Sequence, residues 1–340
     1  MSRWRTMTQE AILTQDGSLT VKRIDCQKFQ LDRIAELNEI LDLMNVVQPH
    51  IKRSLDLLRW QYFESPAGPG QIYLIEEQGK IATIVCAAAT KIQTENQVLS
   101  ARILQDGMTH PDYRRRGLFH KLAQHCFDDL AENSHVSYGF PNLFSQGLLL
   151  KAGWKRLCSV PARSKNLAGW KRSKDEIEMD EVTTPLDSTV STIWMEAGRM
   201  EAGCSAAVFR DAAYLNWRYG KTDQVYHRFL IEKNKGLVIL KEFNNGVETV
   251  VHICELFVRA SERALVGSVL QFCQQFAIEC GAQLITAWLP PQHAYATAFE
   301  EEGFGLVDTD RNVIVAVPST EQEVILDRGW YFSQGDSDVY

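Results

Sequence analysis

Hydrophobic spacing divides the chain into short helical and strand-like segments. From Leu31 to Met44 the apolar residues Ile34, Leu37, Ile40, Leu41 and Met44 share one face, which predicts an amphipathic helix. Leu58-Arg59-Trp60-Gln61-Tyr62-Phe63-Glu64 runs into Ser65-Pro66-Ala67-Gly68-Pro69-Gly70, a turn-rich stretch. Strands are expected at Val21–Ile24, at Gln71–Glu76 and Lys80–Ala88 around a turn at Gln78-Gly79, and at Ser100–Met108. Downstream, Leu118, Phe119, Leu122, Ala123, Cys126, Phe127 and Leu130 recur at helical spacing. A short strand at Val136–Phe140 follows, then a helix from about Leu143 to Lys151 capped by Asn142 and stopped by Gly153. Arg156–Ala162 is expected to be the last strand of this half.

The remainder reads as a worn copy. Residues 1–20 form a loose lead-in, and the polar stretch around Asp175-Glu176-Ile177-Glu178 reads as a linker before a helix at Leu186–Met200. Tyr214-Leu215-Asn216-Trp217-Arg218-Tyr219 then echoes Leu58–Tyr62, Phe229–Lys233 echoes Tyr73–Glu77, and Gly303-Phe304 echoes Gly153-Trp154. Asp106 stands 47 residues before Gly153, and Glu255 stands 48 before Gly303. The pattern therefore predicts two domains, 1–165 and 186–340, joined by an acidic linker at 166–185.

Composition narrows the class. Of 340 residues, 45% are hydrophobic and 23% charged, ordinary for a soluble globular protein, and the length suits two cores. A net charge of -7 lacks the basic footprint of a nucleic-acid binder, so no nucleic-acid partner is expected. Eight cysteines without CxxC pairs read as free thiols in a reducing, cytoplasmic setting, with no metal site. No apolar run is long enough to span a membrane.

One basic turn stands apart. Met108-Thr109-His110-Pro111-Asp112-Tyr113-Arg114-Arg115-Arg116-Gly117-Leu118-Phe119 joins a strand to a helix. Backbone N–H groups and a helix N-terminus at such a turn suit a phosphate, glycine lets a ligand approach closely, and arginines add fork-shaped donors. The run Arg114-x-x-Gly117-x-Phe119 in this setting resembles the acyl-CoA loop of the GNAT acetyltransferases, with Phe119 where the family usually has Gly or Ala. Trp60-x-Tyr62…Pro66-x-Gly68 and Phe140-Pro141-Asn142 resemble landmarks of a tandem branch of that family.

The resemblance implies an α/β (α+β) fold of two tandem GNAT-like domains, each a mixed, mostly antiparallel sheet flanked by helices. It implies acetyl-CoA as acyl donor, held by Met108, Thr109, His110, Arg114, Arg115, Arg116, Gly117, Leu118 and Phe119, with Asn142 and Ser145 on a second wall. Met108 to His110 would offer backbone N–H groups to the thioester oxygen. Asp106, flanked by apolar Leu104 and Met108, is the candidate base, His110 a rival, and Tyr138 the candidate acid. Many relatives carry a tyrosine four residues before the Gly-aromatic pair; here Leu149 holds that place. Gly107 is compatible with a local bulge. The acceptor expected is a small-molecule amine, by resemblance an amino sugar or nucleotide-linked amino sugar. The alternatives are a non-catalytic acyl-CoA-binding protein and a protein-lysine acetyltransferase. An oligomer is compatible with the sequence.

The second half has Val258-Arg259-Ala260-Ser261-Glu262-Arg263-Ala264-Leu265 at the corresponding turn, without Arg-x-x-Gly and with a carboxylate. Coenzyme A is thus expected to bind the first half alone. The tail Gly335-Asp336-Ser337-Asp338 is either a solvated acidic end or a partner for an amine or sugar hydroxyl.

Overall fold

The computed structural model describes residues 8–10, 19–27, 34–51, 53–133, 135–170, 177–197, 204, 206–221, 224–244, 246–307, 309, 311–317 and 330–337. In chain order the first elements are β1 (Thr8–Glu10), β2 (Leu19–Asp25), α1 (Ile34–Val47), α2 (Leu55–Phe63), β3 (Gln71–Glu77), β4 (Lys80–Thr94) and β5 (Val98–Thr109). Next come α3 (Leu118–Glu132), β6 (Val136–Gly139), α4 (Leu143–Ala152), β7 (Lys155–Ser159) and β8 (Ala162–Asn166). The remainder is β9 (Met179–Glu181), α5 (Thr189–Glu196), β10 (Ala206–Val208), α6 (Ala212–Arg218), β11 (Tyr226–Ile231), β12 (Gly236–Asn244) and β13 (Thr249–Val258), then α7 (Val266–Glu279), β14 (Leu284–Trp288), α8 (Ala296–Glu301), β15 (Gly305–Val307), β16 (Asn312–Ala316) and β17 (Trp330–Tyr331).

The chain divides into two compact units: 1–92, 98–158 and 311–322 form one; 93–97, 159–310 and 323–340 form the other. In the first, the sheet order is β1-β2-β3-β4-β5-β6-β16-β7. One face carries a core of Leu104, Leu118, Leu122, Cys126, Leu149 and Trp154 under α3 and α4. The other carries Leu37, Ile40, Leu43, Met44, Leu58 and Tyr62 from α1 and α2. The α1 pattern thus buries Leu37, Ile40 and Met44 of the expected stripe together with Leu43; Ile34 and Leu41 are half-buried, and its first expected turn, 31–33, lies outside the described residues. Gly153 ends α4 at φ 122°, and a Cβ there would sit 2.6 Å from the Phe127 ring, so glycine is required twice over.

The second sheet runs β15-β8-β14-β13-β12-β11-β9. The strand expected at Arg156–Ala162 is in fact two. β7 stays in the first unit's sheet, whereas β8 pairs antiparallel with β14 and β15 in the second. Likewise β16, late in the sequence, pairs antiparallel with β6. Hydrophobic alternation marks a strand but carries no address, so the sequence reading placed β8 with its chain neighbours. The expected linker also contains β9, paired with β11, while 171–176 lie outside the described residues.

The described part of the tail, Gly335 to Ser337, is buried. Asp336 is 2% exposed and accepts from Arg210 Nη2 at 2.8 Å through each carboxylate oxygen. Ser333 and Asp336 close a capping box around the 3-10 turn Gln334–Asp336. Asp338 lies outside the described residues. Gln334 Nε2 approaches His252 Nδ1 at 3.4 Å, and that nitrogen lies 2.7 Å from Thr286 Oγ1. Burial, aided by Lys241, lowers the His252 pKa to about 4.

Two outcomes are expected. A histidine buried neutral contributes stability above its unfolded pKa, near 6.5, and loses it as the pH falls towards about 4. Acid titration of unfolding over that window should show a loss smaller by on the order of 3 kcal/mol in His252→Gln than in the wild type. Asp336→Ala, which removes one partner from a buried ion pair, should cost about 3–5 kcal/mol in urea unfolding. Acetate, but not chloride, should recover part of that loss.

Candidate active site

The site forms where two parallel strands part. The β5–β6 ladder runs from Ala101↔Val136 to Leu104↔Gly139 and goes no further. β6 ends before Pro141, which has no N–H to donate. β5 continues to Thr109 through a distortion at Asp106, whose φ is +49°. The bulge therefore falls on Asp106, next to the expected Gly107. Its effect shows in the core: Leu104 packs on the α3/α4 side, while Met108 joins Ile103 on the α1/α2 side. Strict alternation would have put Leu104 and Met108 on one face, as the sequence reading assumed.

Asp106 is held on both sides. Arg53 Nη2 donates to Oδ1 at 2.9 Å, and the Tyr62 hydroxyl donates to Oδ2 at 2.7 Å. Its side chain is 8% exposed and that of Arg53 9%. Arg53 Nη2 also donates to Gln48 Oε1 at 2.7 Å. Ser54 caps α2, accepting from Leu57 N, and so fixes Arg53 just before the helix while Tyr62 lies in its last turn. Burial and the neighbouring Asp106 raise the Tyr62 hydroxyl well above its ordinary pKa, so Tyr62 serves as a donor. Arg53 and Tyr62 were not singled out as partners of Asp106. A signal existed, because Arg210-Asp211 before α6 repeats Arg53-Ser54 before α2, with Tyr219 matching Tyr62.

The basic turn leaves β5 through a 3-10 turn at Pro111–Tyr113. Thr83 Oγ1 donates to the Met108 carbonyl at 2.8 Å, and His110 N donates to the Ala82 carbonyl at 2.9 Å. His110 Nδ1 accepts from Asp112 N, so this side chain caps its own turn. Arg115 (φ 62°) and Gly117 (φ 73°) take left-handed conformations that bring the chain round to α3. Gly117 is the N-cap of α3, with no side chain capping the first turn and no acidic residue in it. Those N–H groups and the positive helix end are suited to an anion.

The three arginines separate. Arg114 and Arg115 are exposed, and Arg114 Nε donates to the Thr109 carbonyl at 3.3 Å. Arg116 has both its Nη groups bound to the Glu77 carboxylate, and its guanidinium lies 5.5 Å from the Tyr113 ring centre. Phe119 packs on Gly107, where an added Cβ would lie 2.9 Å from the ring. The large residue at the family's Gly/Ala position thus sits over a glycine on the strand.

Across the opening, Asn142 caps α4 as expected, its Oδ1 accepting from Phe144 N and Ser145 N at 3.0 Å each. Ser145 Oγ is turned back on Asn142. Leu143 and Phe144 are 65% and 91% exposed and give this wall an apolar rim. Tyr138 is 1% exposed within β6, and Leu149 is buried in the α3/α4 core. Neither position presents an accessible hydroxyl to a leaving group. Among the described residues no cluster fit to hold a metal is found.

The corresponding turn of the second unit is built differently. Arg259 pairs with Glu196, Glu262 lies 3.4 Å from Lys235, and a 3-10 turn at Ala260–Leu265 leads into α7.

Comparisons with known proteins agree with this geometry. Residues 31–157 match the family model described as "Acetyltransferase (GNAT) domain". No curated protein matches the chain. Among solved structures, a probable N-acyltransferase from Enterococcus faecalis superposes with a TM-score of 0.66 at 14% identity, covering 91% of this chain and 75% of that one. A GCN5-related N-acetyltransferase from Anabaena variabilis gives 0.66 at 14%, covering 87% and 72%. Eis1 from Mycobacterium abscessus gives 0.57 at 11%, covering 89% and 74%. At such identities the likeness is one of fold. The family match spans the α1–β7 stretch that builds the strand opening and the basic turn, and on that ground residues 31–157 of the chain are a GNAT acetyltransferase domain.

Proposed function

We propose that this chain transfers an acetyl group from acetyl-CoA to the amine of a small molecule, at the opening between β5 and β6. The observation that carries the reading is the coincidence, at one strand end, of a halted ladder, a bulged carboxylate and an uncapped helix N-terminus. Acetyl-CoA supplies an activated thioester carbonyl. The N–H groups of the first α3 turn hold the pyrophosphate, with Arg114 and Arg115 beside them and Gly117 admitting it closely. Arg116 shapes the turn through Glu77.

Backbone donors on β5 polarise the thioester carbonyl. The His110 N–H is spent on Ala82, and successive N–H groups on a strand point to opposite edges. Thr109 N–H, one residue back, therefore points away from β4 and is the donor assigned to the developing oxyanion. Asp106 accepts the proton of the attacking amine, held in place by Arg53 and Tyr62. With Leu149 in the core and Tyr138 buried, the thiolate leaves without a side-chain acid.

In this reading the second unit is a degenerate GNAT-like copy within a tandem arrangement, with boundaries near 1–165, 166–185 and 186–340. Both sheets are completed in the same manner, β16 lying between β6 and β7 and β8 between β14 and β15. The acceptor class suggested by resemblance is an amino sugar or its nucleotide-linked form. A second reading, acyl-CoA binding without transfer, draws on the buried Leu149 and Tyr138.

Calorimetry with acetyl-CoA should show binding to the wild type. Arg114→Ala and Gly117→Glu should each weaken it by at least about tenfold, given the worth of a charge-assisted contact. Asp106→Asn should keep that affinity and lose about 10²–10⁴-fold in turnover. Unchanged turnover would remove Asp106 from the mechanism, and no acetyl-CoA binding by the wild type would remove the transfer reading.

A further inference from the structure

The second unit contains a twin of the Asp106 network, and the twin is occupied. Arg210 stands just before the N-cap Asp211 of α6, as Arg53 stands before Ser54 of α2. Arg210 Nε donates to Glu255 Oε2 at 2.8 Å, and the Tyr219 hydroxyl donates to Glu255 Oε1 at 2.8 Å. Glu255 lies on β13 beside the register shift against β12, just as Asp106 lies at the β5 bulge. In both units an arginine and a tyrosine flank a carboxylate on a distorted strand.

The two networks differ in what fills them. Every guanidinium nitrogen of Arg210 is engaged: Nε by Glu255, Nη1 by the Val208 carbonyl at 2.7 Å, and Nη2 by Ser333 and both oxygens of Asp336. The tail backbone lies so close that a Cβ on Gly335 would fall 1.9 Å from Tyr219 Oη and 2.6 Å from Glu255 Oε1. In the first unit Arg53 uses Nη2 for Asp106 and Gln48, while its Nη1 is buried with no hydrogen-bond partner. A buried guanidinium donor left unpaired is costly and uncommon. Atom by atom, Nη2 holds Asp336 in the second unit and Asp106 with Gln48 in the first, whereas Nη1, satisfied by a backbone carbonyl in the second unit, is unsatisfied in the first.

Charge specifies the missing group further. Around Glu255 and Asp336 the second unit sets two cations, Arg210 and Arg218, the latter donating to the Gly335 carbonyl at 2.8 Å and the Ser337 carbonyl at 2.9 Å. Arg218 immediately precedes Tyr219; the residue immediately preceding Tyr62 is the neutral Gln61. A simple carboxylate beside Arg53 and Asp106 would leave two negative charges against one positive. An acceptor bringing its own ammonium group restores the balance.

We infer that Arg53 Nη1 anchors a carboxylate on the acceptor, so that the substrate is a zwitterionic amine–carboxylate of the amino-acid or amino-sugar-acid class. Its ammonium lies against Asp106, and its carboxylate accepts from Nη1, the Arg53 nitrogen left without a partner within the chain. This rests on the transfer reading above for the direction of the reaction. The transfer step forms the amide C–N bond and breaks the thioester C–S bond. The ammonium first gives one proton to Asp106, which frees the amine to attack, and the second N–H proton passes to the departing thiolate, which leaves as coenzyme A.

The test uses the full chain and calorimetry, with coenzyme A present. Glycine, β-alanine and 4-aminobutanoate are each titrated against the matching methyl amide, which keeps the ammonium and removes the carboxylate. Expected is at least one zwitterion that binds the wild type about tenfold or more tightly than its amide, the worth of one charge-assisted contact. Arg53→Ala should erase that preference, and Arg53→Lys, which keeps the charge without the fork, should retain part of it. Coenzyme A affinity reports that the variants are folded. The discrimination by the wild type stands as a test even if Arg53→Ala fails to fold. Equal binding of zwitterion and amide, or a preference that survives in Arg53→Ala, overturns the subsite. A wild type that binds coenzyme A and none of the zwitterions overturns the subsite alone, whereas one that binds neither overturns the transfer reading as well.

Discussion

A buried guanidinium–carboxylate pair beside a strand distortion is the constraint on which the rest of this site depends. Asp106 sits at φ +49° in β5, a conformation that costs energy for a non-glycine residue. Arg53 and Tyr62 bind its two oxygens and hold the distortion in place. The distortion in turn ends the ladder with β6 and moves Met108 onto the α1/α2 side of the sheet. From there the chain reaches the turn that closes on Gly117 and starts α3. Removing the pair would therefore affect the opening and the candidate base together.

Much of this was readable from local pattern. The α1 and α3 stripes, the Asn142 cap, the Gly153 stop and the hairpin at Gln78-Gly79 follow from periodicity and turn chemistry, which act over a few residues. Three features were not readable because they are non-local. The bulge position depends on Arg53 and Tyr62, far from Asp106 in the chain. The placing of β8 and β16 depends on sheet neighbours that no alternation encodes. The engagement of Arg116 by Glu77 likewise joins a loop to the end of β3.

The twin networks show how one arrangement can serve two ends. Around Arg210 the chain's own tail completes the charges, and the result is a sealed cluster: burial raises the Glu255 carboxyl, and Arg210 opposes that shift. Around Arg53 the cluster is short of one partner, which is what a binding site requires and a purely structural cluster avoids. The turn sequences follow the same division. Arg114 to Gly117 lead to an uncapped helix end, whereas Arg259 and Glu262 are tied to Glu196 and Lys235.

The central claim is that a single turn in the chain receives acetyl-CoA. Hydrogen–deuterium exchange with and without acetyl-CoA tests it most directly, because it reads backbone N–H groups one segment at a time. The account predicts slowed exchange at Thr109 and from Gly117 into the first turn of α3, with no change at 259–266. Protection at 259–266, or none in either segment despite saturating ligand, would contradict it.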